Sequence, residues 1–358
     1  MRIAFDVSPL SHALLGIGTY LQGSLGGLAD AADGEHEIVA FAPTSIRGPE
    51  RIRRALAGIG VEVRTWPLPF SHVVRTAWSR AGRPAAERLL GGFDALHFSD
   101  WMYPPQRAGV RATTIHDLVP LHHPEWTTAR TRSMHSRKYR NAAATCDVVF
   151  VNSAFTGRDV TATLGVPQDR IRVAHPAPKP VFRPDGPAAD LGAPYVLTVA
   201  TLEPRKNLQV LVEAHRVLDG ELQLAVVGGE GWGEQPLLDG PGIRGLGFVS
   251  DEELARLYRG AAVVAYPSRF EGFGIPVIEA MACGVPVVAS AHESLDEASG
   301  TAALRANPED PAAFASAIEG AMGDSTRLAV LGLEHANTFS WRAVGETFLR
   351  GYQEAAAC

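Results

Sequence analysis

The sequence is poor in cysteine and has no long apolar run. Its 358 residues include three cysteines, Cys146, Cys283 and Cys358, which lie far apart and lack any C-x-x-C spacing. Isolated cysteines in odd number predict neither a disulfide framework nor a zinc site. No run approaches the ~18 apolar residues of a membrane-spanning helix, and the N-terminal residues lack a signal-peptide pattern. We therefore expect a cytoplasmic protein with reduced cysteines.

Two cofactor signatures are also missing. No D-x-D pair of aspartates is present, so the sequence predicts no metal ion that would hold a sugar diphosphate. Gly16 and Gly18 begin like a dinucleotide fingerprint, but Leu21 stands where the third glycine belongs. The sequence thus disfavours a nicotinamide cofactor. Two glycines before a helix still permit close approach of the backbone to a phosphate or a sugar.

Charge is distributed unevenly along the chain. Residues 1–175 carry 20 Lys and Arg against 15 Asp and Glu, whereas residues 176–358 carry 13 against 24. A basic first half suits an anionic acceptor or a membrane surface, and a solvated helix face is the alternative. The densest basic cluster comprises Arg130, Arg132, Arg137, Lys138 and Arg140. Because no aromatic residues interleave with these charges in a recognisable pattern, nucleic acid is not an expected partner.

Apolar runs alternate with helical patterns in both halves of the chain. The first half predicts strands at 2–7, 38–41, 95–98, 112–115 and 148–151, with helical segments at 18–28 and 129–144. The second half predicts strands at 195–200, 222–227, 245–249, 262–266 and 285–289, with helices at 207–218, 251–259 and 341–356. Asn207 is predicted to cap its helix, and Ser250 with Glu253 to form a capping box. The residues between 289 and 341 show less pattern.

These successions predict an α/β protein with two doubly wound parallel sheets. Proline, glycine and alanine crowd between residues 175 and 193 and mark a boundary. We expect a first domain at 1–177, a linker at 178–193, a second domain at 194–339 and a C-terminal helix at 340–358. Ligands of such sheets bind outside the carboxyl ends of the strands, here in a crevice between the domains.

The segment 269–290 carries the most information. Glu271 and Glu279 flank a glycine-rich turn and the start of a short helix, with Pro276 at its first position and Gly284 as its stop. Glycines in the turn let backbone amides approach a ligand, and the N-terminus of the helix favours an anion such as a diphosphate. Glu279 would then bind hydroxyl groups beside the phosphate. Two solvated glutamates are the alternative.

Basic and polar side chains follow other predicted strands. Arg205 and Lys206 come directly after the strand at 195–200 and suit a diphosphate whose charge grows as it leaves, although charges in solvent at a helix start are the alternative. His116 follows the strand at 112–115 as a polar contact, a proton carrier or a structural residue, with Asp117 fixing its tautomer or capping a turn. The run 94–101 places polar and aromatic groups at the end of a strand. They form part of an acceptor pocket or an ordinary loop.

Together these motifs resemble retaining glycosyltransferases of family 4, which have the GT-B fold. The resemblance covers nearly the full chain. The strongest element is the E-x7-E signature from Glu271 to Glu279. Supporting elements are GIGTY at 16–20, IHDLVP at 115–120, NSAFT at 152–156, LEPRKN at 202–207 and GFVSDEELARLY at 247–258. One departure is Ala200-Thr201, where many relatives have a Gly-Arg pair, which places more weight on Arg205 and Lys206.

The resemblance implies roles for individual residues. Glu279 would bind the donor ribose, Glu271 the transferred sugar, and Arg205 with Lys206 the diphosphate. The turn residues Gly272, Phe273 and Gly274 would join the donor site, Gly16 would lie near the donor phosphate, His116 near the reacting sugar, and Val249 near the base. No metal and no cofactor are implied beyond the nucleotide-diphosphate sugar, which is a co-substrate.

We therefore expect transfer of a sugar, with retention, from a nucleotide-diphosphate donor to a hydroxyl acceptor in cell-surface polysaccharide or glycoconjugate synthesis. The IHDLVP form favours relatives that use GDP-mannose, with a UDP-sugar as the other option. The acceptor is a saccharide, a lipid-linked molecule or a small metabolite. A sugar-nucleotide 2-epimerase of the same architecture is one alternative, and an inactive sugar-nucleotide-binding partner is another.

Overall fold

The computed structural model describes residues 1–12, 16–99, 101–218, 222–229, 231, 238 and 240–357. Within them the chain divides into two compact units. The first comprises Met1–Pro176 together with the residues from Ser340 onward, and the second comprises Ala177–Phe339. None of the helices in these ranges is both long and apolar enough to cross a membrane.

The first unit is a parallel sheet covered by helices. Its strands are β1 (Arg2–Asp6), β2 (Glu37–Thr44), β3 (Glu62–Pro67), β4 (Ala95–Phe98), β5 (Val110–Ile115), β6 (Val148–Val151) and β7 (Ile171–Val173). Its helices are α1 (Gly16–Ala32), α2 (Gly48–Ala55), α3 (Ser71–Ala81), α4 (Glu87–Leu90), α5 (Val119–His122), α6 (Ala129–Thr145) and α7 (Ala154–Leu164). The described strands run in the order β3-β2-β1-β4-β5-β6-β7, and every pairing is parallel.

The second unit repeats this architecture. Its strands are β8 (Tyr195–Val199), β9 (Gln223–Val227), β10 (Ile243–Gly247), β11 (Val263–Tyr266), β12 (Val287–Ser290) and β13 (Ala303–Ala306). Its helices are α8 (Leu208–Val217), α9 (Asp251–Gly260), α10 (Ile275–Ala282), α11 (Asp296–Ser299), α12 (Pro311–Gly323) and α13 (Ser325–Ala336). The described strands are ordered β10-β9-β8-β11-β12-β13, again all parallel.

The predicted fold class is confirmed: each unit is a Rossmann-like parallel sheet between helices. The central strands β1, β5, β6, β8, β11 and β12 are buried along most of their length, as expected of strands covered on both faces. Residues 177–194 contain no helix or strand, and Phe182 and Ala189 from this segment pack against the core of the second unit.

Strands β3, β7 and β13, which the sequence pattern does not predict, share one property. Each lies at the edge of its sheet. An edge strand is covered less completely, so it lacks the continuous apolar run that reveals a central strand. The predicted strand at 245–249 is the fourth edge strand, and the structure places it two residues earlier, at Ile243–Gly247.

One predicted helix cap, that of Asn207, is wrong. The side chain of Asn207 does not cap α8, because this residue is left-handed, with φ of 53°, and its amide instead donates to the carbonyls of Pro267 and Pro308. Ser250 does cap α9 by accepting from the amide of Glu253, whose carboxylate pairs with Arg256. Helix α10 begins one residue before Pro276, and Gly284 ends it with φ of +74°.

The C-terminal helix α14 (Trp341–Ala357) belongs to the first unit and packs on α1 through glycine. A Cβ atom added to Gly27 would lie 1.8 Å from the carbonyl oxygen of Trp341, and one added to Gly345 would lie 2.0 Å from the carbonyl oxygen of Gly27. The two backbones therefore touch at a point where only glycine fits. Val344, Phe348 and Tyr352 from α14 fill the core behind this contact.

Replacing Gly27 should separate α1 from α14. We expect Gly27→Ala to lower the free energy of unfolding by ~2–4 kcal/mol because the clash is with backbone atoms. The neighbouring Gly26 is the matched control, since its added Cβ would meet only the Ile59 side chain at 3.7 Å. Gly26→Ala should be neutral or stabilising by up to ~1 kcal/mol.

Tryptophan fluorescence during urea denaturation measures this difference, since five of the six tryptophans fall in the first unit. Equal midpoints for Gly26→Ala and Gly27→Ala would contradict the close backbone contact.

Candidate functional site

Two strand-end loops of the second unit carry the predicted donor-binding residues. Strands β8 and β11 are neighbours in the sheet, so the residues that follow them emerge at the same edge. The loop after β8 contains Arg205 and Lys206 in a short 3-10 turn, and the loop after β11 leads to Glu271. The amide of Arg269 donates to the carbonyl of Arg205 at 2.9 Å, which ties the two loops together.

Glu271 is the centre of an ion-pair network. Its Oε2 lies 2.7 Å from Nη1 of Arg205, and its Oε1 lies 2.6 Å from Nζ of Lys206. The hydroxyl groups of Tyr266 and Ser268 also donate to Oε1, at 2.9 and 2.6 Å. The structure thus brings together the three charged residues that the sequence singles out in these loops.

The network fixes the charge of Glu271. Burial opposes ionisation of this carboxyl, but the nearby charges of Arg205 and Lys206 and the hydrogen bonds from Lys206 and Ser268 outweigh burial and lower its pKa to about 2. Burial and the neighbouring Arg205 lower the pKa of Lys206, while the ion pair with Glu271 favours its charged form. The site is therefore an ordered array of ionised groups.

Glu203, which the sequence reasoning does not single out, completes this array. Its Oε1 accepts from Nη2 of Arg205 at 2.6 Å, and only 4% of its side chain is exposed. Arg205 also donates from Nη1 to the carbonyl of Phe270 at 2.8 Å. The guanidinium group is held from two sides, so its position does not depend on a ligand.

The glycine-rich turn delivers the chain into α10. Gly274 precedes the helix with φ of +105°, and a Cβ atom there would lie 2.6 Å from Leu295. The positive φ favours glycine at this position, and a Cβ would also displace the end of the Leu295 side chain. Phe273 is buried in the core, whereas the amide of Glu271 donates to the hydroxyl of Ser294 at 2.9 Å. The turn is thus anchored at both ends, with Gly272 between these anchors.

Glu279 occupies a different environment from Glu271. It lies on α10, is buried, and accepts a hydrogen bond from the hydroxyl of Tyr258 at 3.3 Å. Burial raises its pKa to about 7, opposed by the charge of Lys179 and reinforced by that of Asp251. Lys179 and Asp251 pair with each other at 2.7 Å, and Val249, predicted near a base, packs at the edge of this core.

His116 lies at the end of β5 in the first unit. Its Nδ1 is 3.2 Å from Oδ1 of Asn152, and the edge of the Tyr20 ring meets it at 5.0 Å between centroids. Burial, with a contribution from Lys138, lowers its pKa to about 3, so the imidazole is neutral near pH 7. Because the amide oxygen only accepts, Nδ1 carries the proton and Nε2 is an acceptor.

The structure places Asp117 and Gly16, two other residues that the sequence singles out in the first unit. Asp117 caps a turn by accepting from the amide of Val119 at 3.0 Å, whereas Asn152 fixes the tautomer of His116. Gly16 is the first residue of α1, with open space where a Cβ would lie.

In the run 94–101, His97 is a core residue bonded to Tyr352 and Thr114. Trp101 is buried beneath Arg75, and Asp100 lies outside the described residues.

Lys138 does not belong to the basic surface cluster that the sequence predicts. It is buried, and its Nζ donates to the carbonyl of Thr114. Helix α6 turns this face toward β5, so only the other members of the cluster remain at least partly exposed. They are Arg130, Arg132, Arg137 and Arg140.

Comparison with known proteins decides the family. The family model "Glycosyltransferase Family 4" matches residues 16–177, and the model "Glycosyl transferases group 1" matches residues 193–324. O-antigen chain mannosyltransferase B of Escherichia coli is 30% identical over 99% of this chain and 100% of that protein. The chain belongs to the group 1 glycosyltransferases. D-inositol 3-phosphate glycosyltransferase of Nocardia farcinica is 30% identical over 76% of this chain and 69% of that protein.

Solved structures share the GT-B fold of this glycosyltransferase. Sucrose-phosphate synthase from Thermosynechococcus elongatus aligns with a TM-score of 0.74 and 21% identity over 100% of this chain and 99% of that chain. Anabaena HepE in complex with UDP and glucose aligns with a TM-score of 0.70 and 16% identity over 98% of each chain. At these identities the likeness establishes the fold.

Residues that contact the candidate site residues lie inside or close to motifs that the sequence already shows. Glu203 belongs to LEPRKN, Asn152 to NSAFT, and Tyr258 to GFVSDEELARLY, while Tyr266 and Ser268 immediately precede the E-x7-E segment. Their hydrogen bonds to charged or reactive side chains cannot be read from order along the chain. Among the residues that the structure describes, no group of three His, Cys, Asp or Glu side chains could hold a metal ion.

The raised pKa of Glu279 predicts a pH-dependent stability difference. This carboxyl has a pKa near 4.5 when unfolded and about 7 when folded, so keeping it buried costs progressively more as pH rises between these values. Glu279→Gln mimics the protonated form. The stability of Glu279→Gln relative to the parent should therefore rise by up to ~3 kcal/mol between about pH 4.5 and 7 and stay constant above pH 7.

Urea denaturation at several pH values measures this difference. Glu319→Gln is the control, because Glu319 is exposed on α12 and its replacement leaves the buried carboxyl of Glu279 in place. A Glu279→Gln difference that does not change with pH would show that the buried carboxyl does not titrate in this range.

Proposed function

We propose that this glycosyltransferase moves a sugar, with retention of configuration and without a metal, from a nucleotide-diphosphate donor to a hydroxyl acceptor. The observation that carries the proposal is the array at the ends of β8 and β11. It holds adjacent Arg205 and Lys206 within 2.7 Å of Glu271, ahead of the N-terminus of α10. Two fixed positive charges and a helix N-terminus suit a diphosphate leaving group.

The leaving diphosphate is the species that these cations would stabilise. Its negative charge increases as the bond to the sugar breaks, and fixed donors in a buried site stabilise such charge by several kcal/mol. Arg205 and Lys206 are 17% and 12% exposed in their side chains, so water screens them little. Glu279, one turn into α10, would accept hydrogen bonds from the ribose hydroxyl groups.

The partners of Glu271 favour an orienting role over a nucleophilic one. Its Oε1 already receives hydrogen bonds from Lys206, Tyr266 and Ser268, and its Oε2 faces Arg205. A carboxylate held in this way is a weak nucleophile. In the proposed reaction a departing phosphate oxygen takes the acceptor proton on the face that the diphosphate leaves.

His116 fits the role of a polar contact. Its low pKa makes it a poor proton donor at neutral pH, and the proton on Nδ1 leaves Nε2 as an acceptor. We propose that Nε2 accepts from a hydroxyl group of the transferred sugar. Asn152 and Tyr20 would hold the imidazole for this contact.

GDP-mannose is the proposed donor, with a UDP-sugar as the other candidate. Support comes from the full-length similarity to a mannosyltransferase of O-antigen chain synthesis and from the IHDLVP segment. We propose a cell-surface polysaccharide or glycoconjugate as the product, built on a saccharide or a lipid-linked acceptor.

Removing Lys206 tests the diphosphate site. Lys206→Ala should lower kcat/KM roughly 10²–10³-fold, because the charge that develops on the leaving group loses one of its two cations. Arg256→Ala is the control, since Arg256 pairs with Glu253 on the exposed face of α9. The assay measures nucleotide release from GDP-mannose and from UDP-sugars. Activity of Lys206→Ala within a few-fold of the parent would refute the assignment, and epimer formation without acceptor would favour the 2-epimerase.

Peripheral membrane contact through the first unit is a further part of the proposal. Four apolar side chains that follow β2 or lie at the start of α3 are exposed: Ile46 (75%), Phe70 (84%), Val73 (64%) and Val74 (41%). Residues 63–86, which include α3, contain no acidic residue and four arginines, of which Arg75 is buried. Residues 126–146, which include α6, are likewise free of acidic residues. Apolar side chains beside basic ones suit an anionic lipid surface.

Vesicle sedimentation tests this contact. The parent should bind vesicles that contain phosphatidylglycerol at low salt and bind less as salt rises, because the attraction is partly electrostatic. Phe70→Ser should reduce the bound fraction several-fold through loss of buried apolar area. Val330→Ser removes a similarly exposed apolar side chain from α13 and should not change it. Absence of binding at low salt would remove membrane contact from the proposal.

A further inference from the structure

The cations proposed to bind the diphosphate already have internal anions. Arg205 contacts Glu203 through Nη2 and Glu271 through Nη1, and Lys206 contacts Glu271 through Nζ. The formal charges of the four residues cancel. With 4% of the Glu203 side chain and 10% of the Glu271 side chain exposed, solvent screens these charges weakly.

A diphosphate entering this cluster has to share its cations with the carboxylates. Glu271 is fixed by hydrogen bonds from Tyr266 and Ser268 as well as by its ion pairs. The carboxylate of Glu203 is fixed by its 2.6 Å contact with Arg205 and by burial, and its backbone carbonyl accepts from the amide of Lys206 at 3.0 Å. Neither carboxylate can move far away, so repulsion between them and the phosphate groups persists in the complex.

Glu203 and Glu271 both contact Arg205, but Glu271 also bonds directly to Lys206. The carboxylate of Glu203 bonds to Arg205, which is itself proposed to contact the diphosphate, so Glu203 acts on the ligand through another residue. A carboxylate in this position has two opposite effects. It holds the guanidinium group in place before the ligand arrives, and it lowers the net positive charge that the ligand meets.

We propose that Glu203 is a positioning residue whose negative charge limits the affinity of the site for the nucleoside diphosphate. Once the departing phosphate has given the acceptor's proton to solvent, the nucleoside diphosphate carries one more negative charge than the bound donor, so it meets this repulsion most strongly and is released. The inference rests on the proposed diphosphate site and adds to it a residue that sets product affinity.

Titration calorimetry of Glu203→Gln with GDP, GMP and guanosine tests this inference, with the uridine series run in parallel. Glutamine keeps the shape and the acceptor oxygen but removes the charge. GDP should bind roughly tenfold more tightly than to the parent, GMP should gain less, and guanosine should be unchanged. The control is Glu309→Gln, which neutralises an exposed carboxylate paired with Arg269 in the adjoining loop and should change none of the three affinities.

A second variant separates charge from position. Glu203→Asp keeps the charge and shortens the side chain, so its GDP affinity should stay at or below that of the parent. Thermal unfolding of all variants confirms that each is folded.

Equal or weaker GDP binding by Glu203→Gln would overturn the inference, because it would mean that Glu203 serves only to hold Arg205. An increase in GDP affinity in Glu203→Asp equal to that in Glu203→Gln would also overturn the inference. If the parent binds guanosine and GDP equally, and uridine and UDP equally, the diphosphate site itself fails. If the parent binds GDP more tightly than guanosine but Glu203→Gln does not bind GDP more tightly than the parent, only the inference about Glu203 fails and the diphosphate site stands.

Discussion

The ion pairs of Glu271 hold the candidate site of the second unit together. Arg205 and Lys206 arrive from the end of β8 and Glu271 from the end of β11, so each ion pair joins residues about 65 positions apart in sequence. The distances of 2.6 and 2.7 Å, in a site shielded from water, make these contacts strong relative to exposed pairs. The site is consequently arranged before any ligand binds, which reduces the reorganisation that the reaction requires.

Two carboxyl groups of one motif illustrate how surroundings determine chemistry. Glu271 and Glu279 are both buried on consecutive parts of the same segment, but only Glu271 has two cations within hydrogen-bond distance. Its pKa falls to about 2, whereas that of Glu279 rises to about 7. An ionised group held by Arg205 and Lys206 and a carboxyl of raised pKa on α10 are suited to different roles in one site.

The sequence predicts the central strands, the three 17-residue helices α1, α6 and α14, and the convergence of the strand-end loops, because each depends on local periodicity and on the geometry of parallel sheets. Edge strands β3, β7 and β13 escape prediction because partial exposure removes their apolar signature. Asn207 was expected to cap α8 because asparagine favours that position, but tertiary contacts with Pro267 and Pro308 take its amide.

Side-chain partners are the least predictable feature. The sequence predicts Lys138 on the surface because it stands among arginines, yet the rotation of α6 directs it toward Thr114. The contacts of Glu203, Tyr266 and Ser268 cannot be predicted either. Which side chains pair across two loops depends on distances of tenths of an ångström, and the order of residues does not encode these.

The contact between α1 and α14 has a consequence for the order of folding. Helix α14 lies at residues 341–357, while the rest of the first unit ends before Ala177. The residues of the second unit are continuous in sequence and are synthesised before α14 emerges. All strands of the second sheet therefore emerge from the ribosome before α14, whereas the core of the first unit waits for Phe348 and Tyr352. Until then, the surface of α1 around Gly23 and Gly27 is left without its partner helix and is available to chaperones.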